Sequence, residues 1–152
     1  MSQYLPDTAP PRGLTPLRIG IVAAEWNAHI INPMIEGVIR RLAELGYSED
    51  AIEVFRVPGT IELTFGASQL IEASAYDAIV VFGVVIRGDT PHFDYVCQSV
   101  TQGITSLNAD CDIPVIFGVL TVENEQQAIE RIGKGAECID AALKMVNFAR
   151  SI

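Results

Sequence analysis

Residues 78–92 read AIVVFGVVIRGDTPH. The stretch from Ala78 to Ile86 is apolar throughout, rich in β-branched residues, and lacks the three-or-four spacing of a one-sided helix, so it reads as a strand covered on both faces. Gly88 then turns the chain, Thr90 suits a helix cap and Pro91 suits a first helical position, so a helix follows at once. A buried strand that passes directly into a helix is the unit of a parallel sheet. Arg18–Ala24 (RIGIVAA), Ile52–Val57 and Pro114–Leu120 repeat the short, nearly continuous apolar pattern. Four parallel strands are expected.

Helical patterns fill the intervals. Ile30, Met34, Val38, Leu42 and Leu45 recur at helical spacing, with Arg40, Arg41 and Glu44 on the opposite side and Gly46 as the stop. Asn32 and Pro33 read as the cap and first position of that helix's regular part. Ile61–Ala75 and Pro91–Leu107 read as two more helices. A long last helix is expected from Glu125 to Arg150, bent where Gly133 and Gly135 flank Lys134. The alternation gives an α/β fold, a doubly wound four-stranded parallel sheet in a three-layer α/β/α sandwich with right-handed crossovers. Residues 1–16 hold four of the eight prolines and no apolar period, which reads as an extended N-terminal arm ahead of a single domain at 17–152.

Composition narrows the function. Hydrophobic residues make up 49% and charged residues 19% of the 152, with a net charge of −9. Such a surface repels phosphate backbones, so no nucleic-acid partner is expected, while a local pocket can still hold one small anion. The longest apolar stretch, Ala78–Ile86, is far short of the roughly 18 residues of a membrane span, and no signal peptide opens the chain, so a cytoplasmic address is expected. Cys97, Cys111 and Cys138 are widely separated and read as buried reduced thiols. With only His29 and His92 available, a metal site built on several imidazoles is excluded. Walker, GxGxxG and GxSxG motifs are missing, and no strand end supplies a lysine for a protein-bound Schiff base.

In a doubly wound sheet, sites form beyond the carboxyl ends of the strands. The first of these mouths offers Trp26, the sole tryptophan, either as a platform for a heterocycle or as core packing, followed by Asn27. The second reads PGTIE at 58–62, where Thr60 serves either as a plain helix cap or, with the amides after it, as a grip on a polyhydroxy chain. The third is the most specific. Exposed amides of Gly88, Asp89 and Thr90 at a helix start suit a phosphate, with His92 beside them as a proton carrier or as a structural histidine. His29 falls at the edge of the first helix pattern and reads as a surface residue. Arg131, on the last helix, is either a cation for a substrate phosphate or a solvated helix charge.

Taken together, WNAHI, VPGTIEL, FGVVIRGDTPHFDYV, IPVIFGVLT, the segment 125–131 and KGAE resemble the 6,7-dimethyl-8-ribityllumazine synthase family from Leu17 to the C-terminus. The resemblance implies a flavodoxin-like fold and a transferase of riboflavin biosynthesis. Its reaction condenses 5-amino-6-(D-ribitylamino)uracil with 3,4-dihydroxy-2-butanone 4-phosphate, releasing phosphate and water, with no metal or organic cofactor. By position, Trp26 would stack on the pyrimidine with Asn27 beside it. Gly59, Thr60, Ile61 and Glu62 would hold the ribityl chain, and Val84, Val85 and Ile86 would present backbone groups to the pyrimidinedione. Gly88, Asp89 and Thr90 would hold the phosphate and His92 would move protons. Phe117 and Arg131 would come from the adjacent subunit of a homopentamer, with Lys134 and Glu137 matching the lysine and acid of the family's loop.

The chain departs from the family where a longer GTKxGNKG-type loop is common, since it has only Gly133-Lys134-Gly135 there. That shortening, with Pro10, Pro11 and Pro16 hindering strand addition by the arm, favours a free pentamer over an icosahedral shell. A non-catalytic flavin or lumazine carrier, and a shell protein of the same fold, are the competing readings.

Overall fold

The computed structural model describes residues 8–152. The part of the proposed arm at residues 1–7 lies outside the described residues. The chain runs β1 (Ile19–Ala24), α1 (Ala28–Glu44), β2 (Ile52–Val57), α2 (Leu63–Glu72), β3 (Ala78–Ile86), α3 (His92–Asp110), β4 (Val115–Val122), α4 (Glu125–Ile129) and α5 (Lys134–Ser151). The strands form one parallel sheet in the order β2-β1-β3-β4. The doubly wound sandwich expected from the pattern is therefore the observed architecture.

β3 is apolar throughout because helices cover both its faces. Ala78, Val80, Phe82 and Val84 point into the layer of α1 and α5, while Ile79, Val81 and Val85 point into the layer of α2 and α3. Each fully buried Val, Ile or Phe contributes roughly 1.5–3 kcal/mol, so the two inner strands dominate the stability of the sheet. β2 does not follow the same rule. As an edge strand it leaves Glu53, Val54 and Arg56 exposed, so the expectation of cover on both faces fails there.

Local chemistry sets the helix ends. Gly46, at φ 84°, closes α1, with Tyr47 N–H donating to Leu42 O and Gly46 N–H to Ala43 O. This is the paired-bond stop that a left-handed glycine permits. The start of α1 lies earlier than Asn32-Pro33. Asn27 takes the cap in a left-handed conformation (φ 63°), which asparagine tolerates, and Pro33 sits inside the helix, where it leaves the His29 carbonyl without its usual donor. Asn32 instead accepts a hydrogen bond from Arg56 at 2.7 Å.

The expected long last helix is two helices. α4 is capped by the Asn124 side chain, which accepts from Gln127 N–H, and ends at Ile129. Residues 130–133 turn, and α5 begins at Lys134. Arg131 therefore sits in the turn rather than on a helix. The glycines do not merely bend a rod: a Cβ on Gly135 would stand 2.1 Å from Met34 O, so Gly135 permits the close crossing of α1 and α5.

Among residues 8–16, Pro10 is buried, Leu14 packs against the core, and Tyr47 Oη donates to Pro11 O at 2.9 Å. Cys138 is buried, whereas Cys97 and Cys111 are half-buried, and all three are free thiols. Among the described residues no helix is long and apolar enough to cross a membrane.

Candidate active site

The strand order reverses between β1 and β3, which places a crevice at their carboxyl ends. Three short connections build its walls. After β1, Glu25 N–H donates to Val57 O and Trp26 N–H to Pro58 O, tying the first mouth to the second. Asn27 Nδ2 donates to Val84 O at 3.0 Å, tying it to the third. The left-handed backbone of Asn27 thus sends its amide across the reversal point.

The resulting cavity has a volume of about 420 Å³. Trp26 and Asn27 form one wall, Gly59 to Glu62 a second, and Val84 to Ile86 the floor, with His92 and Val96 contributed by α3. Trp26 is 76% exposed and lines the cavity, so it is not core packing. Its ring rests on Gly59, where a Cβ would come within 3.1 Å of the indole. Thr60 is buried and is not a side-chain cap for α2. Its hydroxyl lies over Gly83, where a Cβ would meet Oγ1 at 2.7 Å, and α2 starts only at Leu63. Ile61 stays exposed at the rim.

Gly88, Asp89 and Thr90 are exposed on the turn between β3 and α3; they lie in sequence between Ile86 and His92, which line the cavity, but do not line it themselves. His92 N–H donates to Thr90 Oγ1 at 3.4 Å, but α3 starts at His92 with Pro91 in the cap position and no side-chain cap bond, so the expected Thr90 cap with Pro91 as first helical residue is shifted by one residue and Thr90 only braces the turn. His92 is solvent-exposed and opens α3. Val96, one turn on and on the same face, was not singled out in the sequence. Its four-residue spacing from His92 is the signal that marks it. Arg87 does not face the cavity as a free cation. Its guanidinium donates to Glu123 at 2.9 Å and Asp94 at 3.4 Å and lies 4.3 Å from the centre of the Phe93 ring.

The remaining predicted residues gather elsewhere. Phe117, Arg131 and Lys134 line a separate recess of about 210 Å³ beside the end of β4. Arg131 donates to Gln127 O at 2.8 Å, which holds its side chain back along α4. Glu137 lies 3.8 Å from Lys134 but lines neither recess, facing a groove between α1 and α5. In that groove Asp140, with Glu44, holds Arg41 firmly charged. His29 is exposed, as expected of a surface residue, but it is paired with Glu125 and so joins the first turns of α1 and α4.

The site offers an aromatic platform, an imidazole, a carboxylate at Glu62, and backbone groups at a strand end. No thiol nucleophile is poised there: burial, with the Asp94 charge, pushes the Cys97 thiol up, and burial pushes Cys138 up to about 12. Among the described residues no group of three or more His, Cys, Asp and Glu side chains could hold a metal ion.

The model of a family described as 6,7-dimethyl-8-ribityllumazine synthase matches residues 16–150. The chain belongs to the 6,7-dimethyl-8-ribityllumazine synthase family. A protein of that name from Porphyromonas gingivalis is 54% identical over 139 residues, covering 88% of this chain and 86% of the relative. Another from Bacteroides fragilis is 49% identical over 141 residues, covering 90% and 99%. A third from Micrococcus luteus is 48% identical over 147 residues, covering 92% and 88%. The lumazine synthase match spans every strand and every mouth of the sheet.

Proposed function

We propose that the protein condenses 5-amino-6-(D-ribitylamino)uracil with 3,4-dihydroxy-2-butanone 4-phosphate to 6,7-dimethyl-8-ribityllumazine, releasing phosphate and water, as a transferase of riboflavin biosynthesis. The observation that carries this reading is the cavity at the reversal point, where an exposed indole, a polar second mouth and His92 converge in a member of the lumazine synthase family. Trp26 stacks on the pyrimidine, with Asn27 at its edge. Gly59, Thr60, Ile61 and Glu62 hold the ribityl chain, with Glu62 accepting from its hydroxyls. The backbone of Val84, Val85 and Ile86 pairs with the pyrimidinedione. Amides of Gly88, Asp89 and Thr90 hold the phosphate at the positive end of α3.

The uracil brings its own amine, so the imine forms between the substrates and no enzyme lysine is consumed. Holding the two partners in contact supplies much of the acceleration. His92 takes and returns protons as the imine forms and phosphate leaves.

Phe117, Arg131 and Lys134 complete the site of a neighbouring protomer, with Glu137 holding Lys134 in place. Two observations support this. The recess of these residues is separate from the cavity of their own chain, and Trp26, Phe65 and Tyr95 leave large apolar surface exposed. A homopentameric ring that brings one recess against the next cavity accounts for both. The unit that assembles is a single domain at 17–152 preceded by an arm, and its three free thiols suit a reducing cytoplasm.

The test is to mix both substrates with the purified protein and follow the lumazine chromophore. Product at enzymatic rates is expected. No product from folded protein would overturn the reading, and tight flavin binding without turnover would make it a carrier.

A further inference from the structure

An arginine next to a phosphate loop is ordinarily taken as the anion's cation. Arg87 immediately precedes Gly88, yet its charge is already engaged. Its backbone N–H donates to Val122 O at 2.9 Å, closing the last pair of the β3–β4 ladder. Its side chain bridges Glu123, just after β4, and Asp94, in the first turn of α3, and lies against Phe93. One cation thus meets two carboxylates at the place where three chain segments diverge.

We propose that Arg87 is the positioning residue of the phosphate loop. It fixes the turn from Gly88 to Thr90 between the end of β4 and the start of α3, and it offsets two carboxylates that would otherwise repel a phosphate dianion. The inference rests on the reading of that turn as the phosphate site. It does not make Arg87 a ligand. A planar fork reaches both carboxylates and the ring at once, which an ammonium cannot do. Without it, the turn keeps the 3.4 Å bond from His92 N–H to Thr90 Oγ1, and the carboxylates of Asp94 and Glu123 lose the cation that offsets them.

The test uses the assembled enzyme and two measurements, steady-state kinetics and calorimetric binding of inorganic phosphate. Arg87→Ala should raise KM for the phosphorylated ketone and the phosphate Kd by about tenfold or more, with KM for the diamine changed less than about twofold. Arg87→Lys should recover only part of the loss. Phe93→Leu, which removes the ring under the guanidinium without changing any charge, decides between the roles. If Arg87 positions the turn, weakening this anchor raises the phosphate Kd; if Arg87 is a ligand, freeing it leaves that Kd unchanged or lowers it.

Unchanged phosphate binding in Arg87→Ala, full recovery in Arg87→Lys, or a phosphate Kd that does not rise in Phe93→Leu would each overturn the inference. Wild-type protein that binds phosphate but makes no lumazine overturns the proposed reaction alone. In that case phosphate affinity in the same variants still decides the role of Arg87.

Discussion

His92 and Cys138 illustrate how position decides chemistry for a single side chain. His92 stands at the cavity with its imidazole in reach of solvent, and it is the only histidine there. His92→Gln should lower kcat by about 10- to 1000-fold with little change in melting temperature, and a full-rate variant would reassign the residue to packing. Cys138 shows the opposite case. Burial raises its thiol from an ordinary 9.0 to about 12, so the folded protein keeps a proton that the unfolded chain releases first. The unfolded state then binds fewer protons between pH 9 and about 12, and stability falls as pH rises through that window, by up to about 1.4 kcal/mol per unit. Cys138→Ala should remove that part of the slope in denaturant melts. An identical slope in the variant would show that the thiol does not titrate as its burial requires. Both residues could be picked out in the sequence, but only burial and neighbours separate the reactive group from the inert one.

At the scale of elements, the inner strands β1 and β3 were the most legible part because a fully covered strand is apolar at every position. Three of the four expected strands match the observed ones to within one residue at both ends, while β4 runs on to Val122. The starts of α1 and α2 and the break between α4 and α5 were less legible. Those are set by contacts between elements: Asn27 reaching Val84, Thr60 seated on Gly83, and Gly135 under Met34. The two glycines around Lys134 look alike in sequence and differ completely in place. Gly135→Ala forces a Cβ into the backbone of α1 and should cost about 3 kcal/mol or prevent folding. Gly133→Ala meets nothing within 4 Å at an ordinary φ of −56° and should stay within about 0.5 kcal/mol of wild type. Equal effects in chemical denaturation would contradict the close crossing of α1 and α5.

For the whole molecule, the proposed function makes one chain the carrier of two incomplete halves of a site. The cavity with His92 and the recess with Arg131 are separate in a single protomer, and the proposed ring closes one on the other. Sequence patterns place each half at a strand mouth, but they report nothing about which halves meet, because that depends on surfaces no periodicity encodes. Arg131→Ala alone should raise KM for the phosphorylated ketone strongly, and an unchanged value would make this arginine surface charge only. The most direct measurement is complementation. The His92→Gln and Arg131→Ala proteins are unfolded together, refolded as an equimolar mixture, and assayed for lumazine at a ketone concentration far below the KM of Arg131→Ala, where each variant alone is nearly idle. If each site takes His92 from one subunit and Arg131 from its neighbour, about one site in four regains both groups and the mixture recovers roughly a quarter of wild-type activity. A mixture no more active than the two variants refolded separately, with mixed assemblies confirmed by mass, would contradict a site shared between protomers.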